Sequence, residues 1–529
     1  MATEKPTESV VHGETPAQLD NLPAGFEKHG IESIPDADRD ASINDFMRLC
    51  WGGANSLATA VLGAFPIMFG LSFWQAALSI ILGVCLGAVI LGPMAIFGAI
   101  NGTNNAISSS AHFGVVGRIV GSFLSLLTAI AFFSISVWSS GDAVVGVAHA
   151  LFGARESDGL FAVAYAVFGI SVLAVCIYGF RIMLFVNKVA VVASTILFVL
   201  GVAAFWHSFD PAFQGTHLRW WSSPFRPVFI SAALVALSNP ISFGAFLGDW
   251  SRYLPRDTNK PMLIGATIVA QLLTLLPFLF GALTASIVAQ HAPDYLVNAD
   301  YTGGLLAVSP SWFFGPLFLL ALLSGMSTGT TSLYGTGLDF SSVFPALSRP
   351  RSTLLIGLFA LALIFVGRFY FTLVSSITTF ISLIVVTTTP WMVIMMIGYV
   401  VRRGFYFPEA MQVFNRGQEG GAYWFHGGWN VPGMVAWVVS AVIALLTVNS
   451  PGHFVGWLGR LMGDDLDVSL LAALILPALL YPVCLYCFPE PRGVFGPKGP
   501  HFVPAADTPL KPVVAIRPRT SVEFHQNET

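Results

Sequence analysis

The stretch Ser238–Trp250, SNPISFGAFLGDW, closes an apolar run that begins near Phe229 and sets an amide, a proline and a glycine close together at Asn239, Pro240 and Gly244. Proline lacks the N–H that a helix needs and disfavours helical geometry at the residue before it, while glycine lets another backbone approach. In lipid an unpaired backbone group costs several kcal/mol, so irregular backbone survives at membrane depth only where it lines a protein-enclosed or watery cavity. The stretch therefore reads as a helix broken at Asn239–Pro240 and Gly244 to serve a site. A proline kink used only for packing is the alternative.

The surroundings support a membrane setting. The chain has 529 residues, of which 55% are hydrophobic and 10% charged, and its mean hydropathy is +0.73. That excludes a soluble protein with a wet surface. The net charge of -3 and the absence of basic clusters exclude nucleic acid as a partner. Runs long enough to cross a bilayer fall at about 50–70, 74–99, 119–149, 160–179, 187–206, 228–248, 262–289, 312–335, 353–372, 374–400, 432–448 and 468–488. They are too long and too uniformly apolar for outer-membrane strands, so the fold class is an all-α polytopic membrane protein with twelve transmembrane helices. An even number puts both tails on one side. With the tails inside, 20 of the 25 Lys and Arg fall on the inner side, which places both termini in the cytoplasm.

The first run repeats the theme of the sixth. LCWGGANSLATAVLGAF, Leu49–Phe65, places Gly52, Gly53, Asn55, Ser56 and Thr59 inside an apolar segment. Two polar, small-residue interruptions five helices apart match an inverted repeat with its site between the two broken helices. The eighth run carries SGMSTGTTSLYGTG, Ser324–Gly337, whose hydroxyls on Ser327, Thr328, Thr330, Thr331 and Ser332 are hard ligands for an alkali cation. Alternatively those hydroxyls satisfy themselves on carbonyls one turn back. The third run carries FFSISVWSSGDAVVG, Phe132–Gly146, where Phe132, Ser136 and Trp138 supply aromatic faces beside a hydroxyl. Asp142 reads as the single acid well inside an apolar run, either a proton-coupling group or a hydrated residue near the outer face.

Four segments carry a resemblance: WGGANSLATAVLGAF (51–65) with SFWQ after it, SSAHFGVVGRIVGSFLSLLTAIAFFSISVW (109–138), GDWSRYLP (248–255) and SLYGTGLDFSSVFP (332–345). In their order and spacing they resemble the nucleobase–cation symporter-1 family of cytosine, purine, allantoin and hydantoin permeases. The resemblance implies a leucine-transporter-like 5+5 inverted repeat plus two peripheral helices. It divides the chain into a disordered cytoplasmic tail over 1–45, repeats over 46–210 and 211–400, helices eleven and twelve with their preceding loop over 401–490, and a cytoplasmic tail over 491–529. The family's stacking aromatic falls on Phe132 and its amide partner on Ser136. On helix six its pair falls on Ser242 and Phe243, or on Asn239 and Pro240 in a gapless register. Its helix-eight amide falls on Thr331 or Ser332. The family's Na⁺ site maps to Gly53, Ser56, Leu323, Met326 and Ser327, with Thr328 the ligand if the register slips by one.

The expectation is thus a multi-pass secondary transporter of the plasma or inner membrane that imports a nucleobase-like planar heterocycle, cytosine or a purine first. Allantoin, hydantoin, other ureides and vitamin-type heterocycles stand behind. Partners are that substrate and membrane lipid, the coupling ion is Na⁺ or H⁺, no cofactor is expected, and the protein is expected to work as a monomer. A channel would need a continuous polar pore. An enzyme would need clustered His, Cys or carboxylates, whereas His112, His149, His207 and His426 are scattered. A sensor that binds without transporting shares every feature above, and only an uptake assay separates the two.

Overall fold

The computed structural model of the chain describes residues 31–344, 347, 349–370, 373–450, 454–461 and 467–515. Among these, ten helices are long and apolar enough to cross a membrane, and two shorter apolar helices fall on the first and eleventh expected spans. In chain order, α1 is split into Ile43–Ala54 and Leu57–Met68. Next, α2 runs over Phe73–Leu91 and through a short tight turn to Asn101. The third to fifth are α3 (Ile119–Phe152), α4 (Asp158–Tyr178) and α5 (Phe180–Phe205). The second group is α6 (Phe225–Phe243), α7 (Lys260–His291), α8 (Phe314–Val343), α9 (Arg349–Tyr370) and α10 (Leu373–Val401). The pair α11 (Val431–Leu446) and α12 (Ser469–Cys487) follows.

Local chemistry sets several of these boundaries. Ser42 and Asp45 form a reciprocal capping box at the start of α1, and Ser56 caps its second half through the Thr59 N–H. Ser157 caps α4, and Gly153 ends α3 in the left-handed conformation that glycine adopts without strain. Exposed apolar residues recur at helical spacing on the outer elements: Phe185, Val189, Val192 and Ile196 on α5, and Leu471, Ile475, Leu479 and Val483 on α12. In water such stripes would be a liability, and in a bilayer they are the lipid face.

Close pairing follows the symmetry that an inverted repeat demands. The most intimate pairs include α6 against α2 and α7 against the second half of α1, which exchange when one repeat is laid on the other. Small residues make these approaches possible. A Cβ at Gly63 on α1 would lie 2.0 Å from the Phe278 carbonyl oxygen, and one at Gly281 on α7 would lie 1.9 Å from that of Ala60. Gly83 and Gly87 on α2 meet the Ala233 and Leu237 carbonyls of α6 in the same way. The third intimate pair, α3 with α8, is stitched by polar bonds: Ser136 Oγ donates to Gly325 O (2.8 Å) and Ser140 Oγ to Ala321 O (2.9 Å).

Four details differ from the expectations. First, α6 runs through Pro240 to Phe243, and the interruption falls at 244–247 before a short turn of helix at Gly248–Ser251. Pro240 is tolerated because its ring packs on the α2 backbone at Gly87. Second, α8 is unbroken and extends to Val343, eight residues beyond the expected limit, so Asp339 joins Asp142 as an acid inside a spanning helix.

Third, residues 31–45, assigned to the polar tail, are ordered. Ile34 N–H donates to Gly102 O (2.9 Å), Ala41 N–H to Tyr253 O (3.1 Å) and Arg39 Nε to Arg252 O (3.2 Å). Fourth, residues 491–515 are folded onto the 401–430 segment, where Val514–Ala515 pairs antiparallel with Gln418–Glu419. Both segments are tied by backbone bonds, with a buried ion pair just before the second, rather than by an apolar stripe, which is why periodicity misses them. In that pair Arg402 Nη2 donates to Glu490 Oε2 (2.6 Å), Asn430 Nδ2 to Oε1 (2.6 Å), and burial pushes the Glu490 carboxyl up while Arg402 and Asn430 oppose. The rest of the expected tails, 1–30 and 516–529, lies outside the described residues. Both ends of the described chain pack on one face of the bundle, called the tail side below.

Candidate functional site

The two interruptions stand against each other. A Cβ on Gly53, just before the α1 break, would lie 3.1 Å from Phe243 Cε1 at the end of α6 and 3.1 Å from Thr331 Oγ1 on α8. Three elements thus converge on Gly53, and any side chain there would press on both neighbours. Asn239 and Phe243 are four residues apart on α6 and so share one face.

The backbone groups freed by the breaks are met individually. Ser327 Oγ donates to Gly52 O (2.9 Å), Ser324 Oγ accepts from Leu57 N–H (3.2 Å), and Thr59 Oγ1 donates to Ala54 O (2.6 Å). At the α6 break Asn105, from the segment after α2, donates Nδ2 to Gly244 O (2.8 Å). These bonds allow the irregular backbone to persist in the interior.

The expected substrate residues divide by what their polar atoms already do. Asn239 is 1% exposed, and among the described residues both its amide oxygen and its amide nitrogen lack a hydrogen-bond partner. Ser242 Oγ is taken by the Asn239 carbonyl and Ser136 by Gly325, so both are stitches in the scaffold. Thr331 Oγ1 donates to Ser327 O (2.8 Å), one turn back, while its side chain faces Gly53. Ser332 is buried beside it. Phe243 rings with Phe246 (5.2 Å) and Trp250 (5.6 Å), and Phe132 meets Phe380 edge-on (6.1 Å). Each of the two phenylalanines thus has its own ring neighbours.

The expected cation residues are less assembled. Ser327 gives its proton to Gly52 O and accepts from Asn187 Nδ2 (2.8 Å), so an amide N–H points at the oxygen that would ligate a cation. Leu323 lies within unbroken helix, and Ser56 is used as the α1 cap. Thr328 Oγ1 and Asn187 Oδ1 are buried without hydrogen-bond partners among the described residues. The donor chemistry of carbonyls, hydroxyls and amide oxygens suits Na⁺, yet Ser327 would have to give up Asn187 or Gly52 to serve it.

On the tail side a layer of rings and one cation lies between α5, α6 and α8. Phe180 stacks on Tyr253 (3.8 Å, 9° between planes), Tyr253 and Tyr334 hydroxyls are 3.1 Å apart, and Arg252 Nη2 donates to Tyr334 Oη (3.3 Å). Asp142, on the opposite side, accepts from the Tyr165 hydroxyl on α4, which gives it a structural partner.

With this geometry in place the comparisons with known proteins become informative. Residues 33–462 match the family described as permease for cytosine/purines, uracil, thiamine, allantoin. The chain belongs to the nucleobase–cation symporter-1 family of permeases. A Bacillus subtilis protein named as a purine-cytosine permease, YxlA, is 24% identical to this permease over 477 residues, covering 87% of it and 96% of that protein. The vitamin B6 transporter TPN1 of Saccharomyces cerevisiae is 26% identical over 348 residues, 61% of this permease and 56% of that one.

In three dimensions the permease is similar to Mhp1, a transporter of the same family, solved in a closed conformation with bromovinylhydantoin bound: TM-score 0.67, 17% identity, covering 90% of this permease and 98% of that chain. An inward-facing Mhp1 structure gives a TM-score of 0.63. At that identity the likeness shows the fold. The permease is therefore a transporter rather than an enzyme, with the Mhp1 architecture.

Sequence reasoning missed Asn187, Asn105 and the pair Asp249 and Asp339. The two acids sit within one helical turn or so of expected span ends, so a small error in each boundary moved them into loops. Asn187 carried a readable signal, an amide at the start of an apolar run, but nothing in the sequence says which helix it reaches.

Proposed function

We propose that the permease imports a nucleobase-like planar heterocycle by alternating access, driven by a cation gradient across the cell membrane, with both termini in the cytoplasm. The observation that carries this reading is the buried amide of Asn239, unpartnered at both ends among the described residues, on the helix face of Phe243, whose ring lies against the α1 break at Gly53 together with Thr331. An unpaired buried amide is costly, and a heterocycle edge offers it an acceptor and a donor side by side. Phe243, with Phe132 of α3 as the second expected aromatic, supplies ring faces for stacking, each contributing on the order of 1 kcal/mol.

Cytosine and purines lead because they present such an edge on a flat ring, and the purine-cytosine name of the Bacillus relative agrees. A pyridine-type vitamin is the second reading, favoured by the TPN1 relative. For coupling, the filled valences of Ser327 favour H⁺ over Na⁺. The test is uptake of labelled cytosine, adenine, guanine, uracil, allantoin and pyridoxine into proteoliposomes under imposed pH or Na⁺ gradients. Saturable uptake of one of them supports the reading, and uptake of none overturns the substrate class.

A further inference from the structure

Three helices meet at the α1 break through buried amides and hydroxyls. Asn55, at the break itself and 0% exposed, donates Nδ2 to Ser194 Oγ (3.0 Å) and Thr195 Oγ1 (2.9 Å) on α5. Asn187, earlier on α5 and 1% exposed, donates Nδ2 to Ser327 Oγ on α8 (2.8 Å). Ser327 Oγ in turn donates to Gly52 O on α1 (2.9 Å). Donors therefore run from α1 to α5, from α5 to α8 and from α8 back to α1, and the circuit closes around one turn of α1.

The direction of each bond follows from what the acceptor does next. The Ser327 proton is given to Gly52 O, so its oxygen accepts from Asn187 and the amide must present Nδ2 rather than Oδ1. Ser194 and Thr195 give their protons to Val191 O (3.3 Å and 2.7 Å), which demands a donor from Asn55 in the same way. Gly52 is the residue that admits the second amide, since a Cβ there would lie 2.2 Å from Asn187 Nδ2.

The circuit adjoins the substrate site. Ser327 O accepts from Thr331 Oγ1 (2.8 Å), and Thr331 and Phe243 both face Gly53, the residue after Gly52. In the alternating-access reading above, on which this inference rests, the tail-side half of α1 screens that site from the cytoplasm, so its hold on α5 and α8 bears on which side the site opens to.

We propose that Asn187 and Asn55 do at the α1 break what a bound Na⁺ would otherwise do: amide donors hold α1, α5 and α8 together, and the junction takes no cation. A Na⁺ ion joins helices by drawing several carbonyl and hydroxyl oxygens to one point. Here the Asn187 N–H points at the Ser327 oxygen, and a cation on that oxygen would meet the positive end of the amide dipole. Asn187 is thus a positioning residue that reaches the substrate site through Ser327 and Thr331, and any coupling ion binds elsewhere.

The test uses full-length protein in detergent without substrate, in NaCl and in KCl at equal ionic strength. The wild type is expected to melt alike in the two salts. Asn187→Asp keeps the shape but replaces the donor by a hard anionic oxygen beside Ser327 Oγ and Gly52 O. That variant is expected to melt about 2 °C or more higher in about 150 mM Na⁺ than in K⁺. A packing role alone would not make stability selective for Na⁺.

Should Asn187→Asp fail to fold, Asn187→Ala is followed by hydrogen exchange of residues 43–57, expected to be about tenfold or more faster than in wild type because the circuit is opened. A Na⁺-selective rise in wild-type melting, an Asn187→Asp protein that folds yet melts alike in both salts, or unchanged exchange in Asn187→Ala overturns the proposal. No substrate enters these measurements, so they decide the junction even if uptake of the whole panel fails, and the substrate reading fails separately.

Discussion

Replacing Asn239 by leucine, a residue of similar volume, separates the proposed role of this amide from a structural one by the sign of its effect. The amide is 1% exposed and lacks partners at Oδ1 and Nδ2 among the described residues. Each orphaned polar function costs about 1–3 kcal/mol, so removing both should stabilise the ligand-free protein by about 2–6 kcal/mol. Ligand binding should suffer in the opposite direction. Losing two hydrogen bonds to a heterocycle edge costs about 2–3 kcal/mol, or roughly 30- to 150-fold in Kd.

At a ligand concentration about 100 times the wild-type Kd, occupancy stabilises the wild type by about 2.7 kcal/mol. The same concentration would stabilise the variant by less than about 1 kcal/mol. The assay is thermal unfolding in detergent with and without cytosine, adenine, guanine, uracil, allantoin and pyridoxine. A variant that melts lower than wild type without ligand, yet keeps the full ligand shift, would refute the reasoning, because Asn239 would then be an amide that packing needs and the substrate ignores.

Three further outcomes test the framework around the site. Ser327→Ala removes the donor to Gly52 O and the acceptor for Asn187 Nδ2, and should lower stability by about 2–4 kcal/mol; a melting temperature equal to wild type would show that α1 and α8 are not joined there. Gly281→Ala should lower stability by about 1–3 kcal/mol, since its Cβ meets the Ala60 carbonyl, while Gly265→Ala, with open space around it, should be neutral or stabilising in the same melting assay. Glu490→Ala leaves Arg402 buried without its partner and should cost about 3–5 kcal/mol, whereas the double replacement Arg402→Met with Glu490→Leu should recover most of it in denaturation measurements.

The spans, their order and the pairing of the two interruptions were legible because lipid permits only one spanning solution for such runs, and because a break in a buried helix must be explained. The position of the break was legible in part, at Gly244 but not at Asn239–Pro240. Pro240 looks like an end, yet Gly87 gives its ring a place on α2 and the helix passes through. Whether a hydroxyl faces a ligand or a carbonyl is likewise settled by neighbours far away in sequence: Ser136 is spent on Gly325 and Ser327 on Gly52, while the Asn239 amide is left open. Apolar periodicity is blind to segments held by backbone bonds, which is why 31–45 and 491–515 read as tails. The buried acids were hidden by span limits drawn a turn or two short, at Asp249 and Asp339.

The central claim is that the convergence of Asn239, Phe243, Gly53 and Thr331 is the site of a coupled importer. Its most direct measurement is labelled uptake into proteoliposomes by wild type and by Phe243→Ala, under a pH gradient, a Na⁺ gradient and neither. Saturable uptake of a nucleobase-like compound is expected, concentrative only under the pH gradient, with apparent affinity weakened about tenfold or more in Phe243→Ala, whose lost stacking and burial exceed about 1.4 kcal/mol. Uptake of none of the panel, or equal affinity in wild type and Phe243→Ala, would contradict it.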